Sequence, residues 1–381
     1  MPGVRDSDPT SGQSYVSAEI EIWTRPQLEQ ETNMAKIQGI PRRSFLTGTA
    51  ATLALAGTMR FNRTAFAATT LQKITVTQAV TSLAFIQNYL ARELGYFKDE
   101  GLDVEIVVTN GGGPDVQAVI SGDAAFTIND GAQVLPAFVR GLDMRCIMAT
   151  LDKNLINVSM EKETAERLGL TPDSPIEDKL AGLKGLKIGI TRPGSLTWQL
   201  ARFNLAKAGL NPDTDATIVG LGGGPAVAAA LENKDVDAIY ISVPLGERVV
   251  HAGKAITLID NSSGQDPNLP SFMMEGLWTT PEYMKGNPET CQAMVNALRK
   301  ASRFVLENDP KTISEPLKPV FGALGDEVLE IGAGMVKEAV SASGQFSEET
   351  LDVTQNVLLL NKSIAGSVAL DDVFDGQFLK S

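Results

Sequence analysis

The stretch TRPGSLTW, Thr191 to Trp198, brings a hydroxyl pair and an arginine to the start of a helix-like segment. Ser195 stands where an N-cap belongs, so backbone N–H groups left free by the first turn would face a ligand beside it. Thr197 adds a second hydroxyl, and Arg192 adds a charge able to hydrogen-bond a sulfonate, carboxylate or nitrate-like group. A blander reading stands beside this one: Ser195 only caps its helix and Arg192 points to solvent. Thr81 and Ser82 repeat the pattern after the strand-like KITVTQ, which ends at Gln78. Asn129 and Asp130 follow AAFTI, and Ser242 closes VDAIYIS. Asp130 suits the amine of a taurine-like zwitterion, or else it bonds its own backbone in a turn. Trp198 and Trp278 would either stack on a ring or pack into the core.

These residues need strands and helices to bring them together, and the chain writes that framework twice. GGGPDVQAVISGDAAF, from Gly111, and GGGPAVAAALENKDVDAIY, from Gly222, both follow an apolar run and open an alanine-rich helix. Glycine permits the turn out of a strand, and proline suits a first helical position because its missing N–H had no partner there. Neither run matches the dinucleotide fingerprint or the phosphate loop. Around each run the periodicity reads strand, helix, strand, helix, strand, which calls for a parallel sheet with helices on both faces. LINVSM and SFMMEGLWTT bracket the second unit and read as extended crossings. From Pro281 onward the chain is mostly helical.

Composition narrows the function. The formal net charge of −13 lacks the basic footprint of a nucleic-acid or membrane-surface binder. Two cysteines, Cys146 and Cys291, are too few for a disulfide scaffold, and buried free thiols are expected. The single histidine, His251, cannot make a zinc site alone and has no triad-like neighbour. No metal or cofactor is implied. PRRSFLTGTAATLALAG, from Pro41, pairs arginines with a short apolar run, and AFA ends at Ala67. That is the pattern of a twin-arginine export signal cleaved before Ala68, without a cysteine for a lipid anchor. Met34 is an alternative start.

ARELGYFKDEGLDVEIV, GGGPDVQAVISGDAAF, GLKGLKIGITRPGS, VDAIYISVP and FMMEGLWTTPEYMKGNPE, in that order, resemble the solute-binding proteins of ABC importers, in the nitrate/sulfonate/taurine group. The resemblance spans about residues 74–362 and implies an α/β, two-lobed periplasmic-binding-protein fold. Each lobe is then a mostly parallel sheet flanked by helices, and two hinge crossings join them. Residues 1–67 would be extension and signal, 68–153 with 272–381 the first lobe, and 154–271 the second. The resemblance implies a periplasmic, monomeric, non-enzymatic receptor that closes on a small anionic or zwitterionic solute and delivers it to a membrane permease. The expected ligand residues are Gln78, Thr81, Ser82, Asn129, Asp130, Arg192, Ser195, Thr197 and Ser242. The rivals are a binder of a pyrimidine or aromatic ligand and a thiamine-pyrimidine synthase-like enzyme, whose cysteine-rich motif is missing here. Ser195→Ala combined with Arg192→Ala is expected to weaken ligand binding with little change in melting temperature. Unchanged affinity by calorimetry would remove both from the site.

Overall fold

The computed structural model describes residues 71–109 and 111–380; residues 1–67, where the export signal is expected, and Asn110 lie outside them. Ten strands are present among the described residues. In chain order they are β1 (Gln72–Gln78), β2 (Leu102–Val108), β3 (Phe126–Asn129), β4 (Arg145–Leu151), β5 (Ile156–Glu161), β6 (Lys187–Ile190), β7 (Thr217–Gly220), β8 (Ala238–Ser242), β9 (Ala255–Ile259) and β10 (Glu275–Thr279).

They form two five-stranded sheets of equivalent order, β2-β1-β3-β10-β4 and β7-β6-β8-β5-β9. In the first, β1 pairs in parallel with β2 and β3. In the second, β6 pairs in parallel with β7 and β8. One reversed strand completes each sheet: β10 runs antiparallel to β3 and β4, and β5 antiparallel to β8 and β9. The two glycine-run units therefore do build matching sheets, mostly parallel as the repeated periodicity requires.

LINVSM and SFMMEGLWTT need correction. All of LINVSM but Leu155, and the EGLWT half of SFMMEGLWTT, are fully buried strands, β5 and β10, and not crossings. Every residue of β5 and β10 is buried, polar ones included, as in strands covered on two faces. The chain passes between the sheets at 152–155 and 260–274. Each unit thus donates its entry or exit strand to the centre of a sheet.

Helices cover both sheets. Gly112–Ser121 and Gly131–Val139 follow β2 and β3, while Leu196–Lys207, Gly224–Glu232 and Leu245–His251 follow β6, β7 and β8. The C-terminal helices do more than cover a face. Glu348–Leu360 packs on both Gly131–Val139 and Leu196–Lys207, so it touches both lobes. Just after it, the Asn361 amide donates to the carbonyl and to the side-chain oxygen of Gln199, each at 2.8 Å.

Trp278 is wholly buried, and its indole N–H donates to the Asn129 carbonyl at 2.8 Å, so it is a core residue. Cys146 and Cys291 are buried free thiols, as expected, and burial pushes the Cys291 thiol up to about 12. His251 lies exposed, 3.7 Å from Glu327. Among the described residues no helix is long and apolar enough to cross a membrane.

Candidate functional site

The carboxyl ends of β1, β3, β6 and β8 point to one seam between the sheets. Because β5 and β10 run backwards, their first residues, Ile156 and Glu275, arrive at the same rim. A pocket lies there, lined from the first lobe by Ala79, Val80, Ser82, Gly111, Gly112, Asp130 and Glu275, and from the second by Ile156, Thr191, Ser195, Thr197, Ile241 and Ser242. This is where open α/β sheets place ligands. Its cavity volume of about 70 Å³ gives room for on the order of five water centres, which suits a small solute.

The second lobe supplies a triangle of hydroxyls. Thr191 Oγ1 lies 2.9 Å from both Ser195 Oγ and Thr197 Oγ1, and the latter two are 2.8 Å apart. Ser195 caps the helix Leu196–Lys207 by accepting from the Trp198 amide at 3.3 Å. Capping and facing the pocket are compatible for this residue, so the two readings of Ser195 do not compete. Ser82 repeats the arrangement in the first lobe, accepting from the Ala84 amide at 3.3 Å. Asp130 caps Gly131–Val139 by accepting from the Gln133 amide at 3.0 Å.

Of the nine residues expected at the site, Ser82, Asp130, Ser195, Thr197 and Ser242 line the pocket. The other four stand behind or beside it. Gln78 is buried and donates to Tyr89 Oη at 2.6 Å and to the Val80 carbonyl at 2.8 Å, which fixes the segment leading to Ser82. Thr81 lies beside the Tyr89 hydroxyl. Asn129 donates to the Gly112 carbonyl at 3.0 Å and so holds the first glycine run against the strand end. Arg192 reaches across the seam and lays its guanidinium on Gly111, where any side chain would overlap it. Gln133 makes a second bridge, donating to the Gly194 carbonyl at 2.9 Å. Only the first glycine run reaches the pocket. In the second, Gly224 gives way to Leu245, a packing role.

Thr191 belongs to the expected stretch but not to the nine residues chosen from it, and Gln133 and Glu275 were not expected at all. Glu275 is the most consequential. It is 3% exposed, lines the pocket, and its Oε2 has no hydrogen-bond partner among the described residues. The signal was a single acid in the apolar run FMMEGLW, since a carboxylate in a central strand is costly without a purpose. The strand register places it opposite Asp130, because Gly276 pairs with Asn129.

Three carboxyls converge on this rim. Burial pushes Asp115 and Asp130 up to about 7, the first against hydrogen bonds from Thr109 and Thr77 and the charge of Arg192, the second against the helix amides it caps. Burial, then the charges of Asp130 and Asp115, hold Glu275 well above its ordinary value. Among the described residues, no group of three or more His, Cys, Asp or Glu could hold a metal ion.

Two sheets of equivalent order, two crossings and a pocket at the seam define a two-lobed periplasmic-binding-protein fold. The profile of the NMT1/THI5 like family matches residues 82–312, more than half of the chain, and the chain belongs to that family. The nitrate/nitrite binding protein NrtA of Nostoc is 25% identical over 232 residues, covering 56% of this chain and 50% of that protein. Two solved structures share the fold. The alkanesulfonate-binding protein SsuA from Xanthomonas axonopodis, bound to MOPS, has a TM-score of 0.62 at 19% identity, over 80% of this chain and 98% of its own. The periplasmic nitrate-binding protein NrtA from Synechocystis has a TM-score of 0.63 at 14% identity, over 81% and 87%. These relatives are binding proteins, not enzymes.

A carboxyl whose folded pKa is raised binds protons more readily when folded, so its contribution to stability falls as pH rises through that pKa. For Asp115 and Asp130 the window runs from the ordinary carboxylate range to about 7. The ligand-free protein should therefore melt at a higher temperature at pH 5 than at pH 8, and Asp115→Asn should flatten that slope. Melts showing the opposite slope would mean that these groups are not buried as described.

Proposed function

We propose that this chain is the solute-binding component of an ABC importer, a binding protein and not an enzyme. It holds a small anionic or zwitterionic organic solute at the seam of its lobes and presents the closed form to a membrane permease. The observation that carries this reading is a pocket lined by polar side chains of both lobes, so that neither lobe alone completes the ligand's hydrogen bonds. Closure then supplies the binding energy and a shape the permease can distinguish. The nitrate and sulfonate binders among its relatives support the same class of solute. Phe85 is the one aromatic side chain lining the pocket among the described residues, which disfavours a stacked pyrimidine or other aromatic ligand. In this reading Ser82, Asp130, Ser195, Thr197 and Ser242 contact the solute, while Gln78, Thr81, Asn129 and Arg192 position the segments that carry them.

A thermal-shift screen of sulfonates, carboxylates, amino acids, nitrate and pyrimidines is expected to find a stabilising solute in the first three classes. Ser195→Ala or Thr197→Ala should weaken its binding by about tenfold, the scale of one hydrogen bond to a charged group. Stabilisation by pyrimidines alone would reverse the assignment.

The protein acts in the periplasm, and the paired arginines Arg42 and Arg43 route it there. Replacing both with lysine should leave the uncleaved chain in the cytoplasmic fraction. Cleaved protein still appearing in the periplasm would rule out the twin-arginine route.

A further inference from the structure

We infer that the solute carries a protonated amine or amidinium, which docks on Glu275, while its acid end meets the hydroxyls of Thr191, Ser195 and Thr197. This rests on the binding-protein reading above and narrows it from anions and zwitterions to zwitterions.

The argument starts from the charges on the pocket wall. Among the described residues, no lysine, arginine or histidine lines it, whereas Asp130 and Glu275 do. Arg192 is not part of that lining; its guanidinium lies against Gly111 and its charge acts on Asp115. A bare anion would therefore enter a cavity walled by two acids without a cationic side chain facing it. Nitrate or a simple sulfonate could rest on the hydroxyl triangle, but it would leave Glu275 as it is.

The two acids differ in what they have to do. Asp130 is engaged as a helix cap through Oδ1. Among the described residues Glu275 makes no side-chain hydrogen bond of that kind, and its buried Oε2 has no partner. A buried polar atom without a partner costs on the order of 1–3 kcal/mol, and more for a charged group, so a donor supplied from the pocket would remove a standing penalty. An ammonium or amidinium supplies N–H donors together with the opposite charge. The acid end of the same molecule has a separate place, where three hydroxyls lie within 2.9 Å of one another at the start of the helix Leu196–Lys207. Because Glu275 belongs to the first lobe and the hydroxyls to the second, a zwitterion of this kind spans the seam, and each of its ends favours closure.

The test uses matched solutes that differ only in an amine against a hydroxyl: taurine with isethionate, β-alanine with 3-hydroxypropionate, and γ-aminobutyrate with 4-hydroxybutyrate, and nitrate as a bare anion. Each is titrated by calorimetry into the wild-type protein, Glu275→Gln and Glu275→Asp. The expected result is that the amine binds at least tenfold more tightly than its partner in one or more pairs. Glu275→Gln should abolish that preference, Glu275→Asp should keep part of it, and Glu275→Gln should melt no lower than wild type without solute. Tighter binding of hydroxyl partners or nitrate, or an amine preference that survives Glu275→Gln, would overturn this inference and leave the binding-protein reading standing. If no member of any class binds, both fall.

Discussion

Glu275 sits at the rim of two sheets with one carboxyl oxygen unpaired, and none of the described residues relieves it. Its neighbours along the strand are apolar, its cross-strand neighbour Asp130 is another acid already committed to a helix end, and burial keeps both acids reluctant to ionise. A protein with no use for that oxygen would gain stability from an apolar or amide side chain at the same place. The penalty has an outlet only through the pocket. Stability without ligand and affinity for ligand therefore draw on the same group, in opposite directions.

What puts the acid there is topology. In each sheet a reversed strand sits between parallel ones, so the chain enters at the rim where the parallel strands end. Ile156 and Glu275 are the first residues of those reversed strands, one in each sheet. The same passage that joins the lobes thus also lines the pocket, through Ile156 and Glu275. The C-terminal helix Glu348–Leu360, which packs on a helix of each lobe, adds a second connection that any opening motion must accommodate.

Much of this was readable from residue patterns. The repeated glycine runs with their flanking periodicity gave two matching sheets, and the N-cap positions Ser82, Asp130 and Ser195 led to the pocket because helix starts and ligand-facing rims coincide in such sheets. Other features depended on contacts that no local pattern encodes. LINVSM and SFMMEGLWTT look like linkers because they leave one repeated unit and enter the next; only pairing across long sequence separations makes them central strands. The two glycine runs are nearly alike in sequence, yet one faces the cavity and the other makes way for Leu245. Arg192 reads either as an anion ligand or as a solvent-facing charge, and neither pattern reveals that its guanidinium lies on Gly111 of the opposite lobe. Glu275 was visible as a lone acid in an apolar run, but its importance comes from Asp130 across the register, a pairing of residues almost 150 positions apart.

The central claim is that a small solute is held between the lobes, touching both. A crystal structure of the protein with whichever solute raises its melting temperature most would test this most directly. The account predicts density within hydrogen-bonding distance of Glu275 on one side and of the Thr191, Ser195 and Thr197 hydroxyls on the other. A solute bound on an outer face, or within one lobe alone, would contradict it.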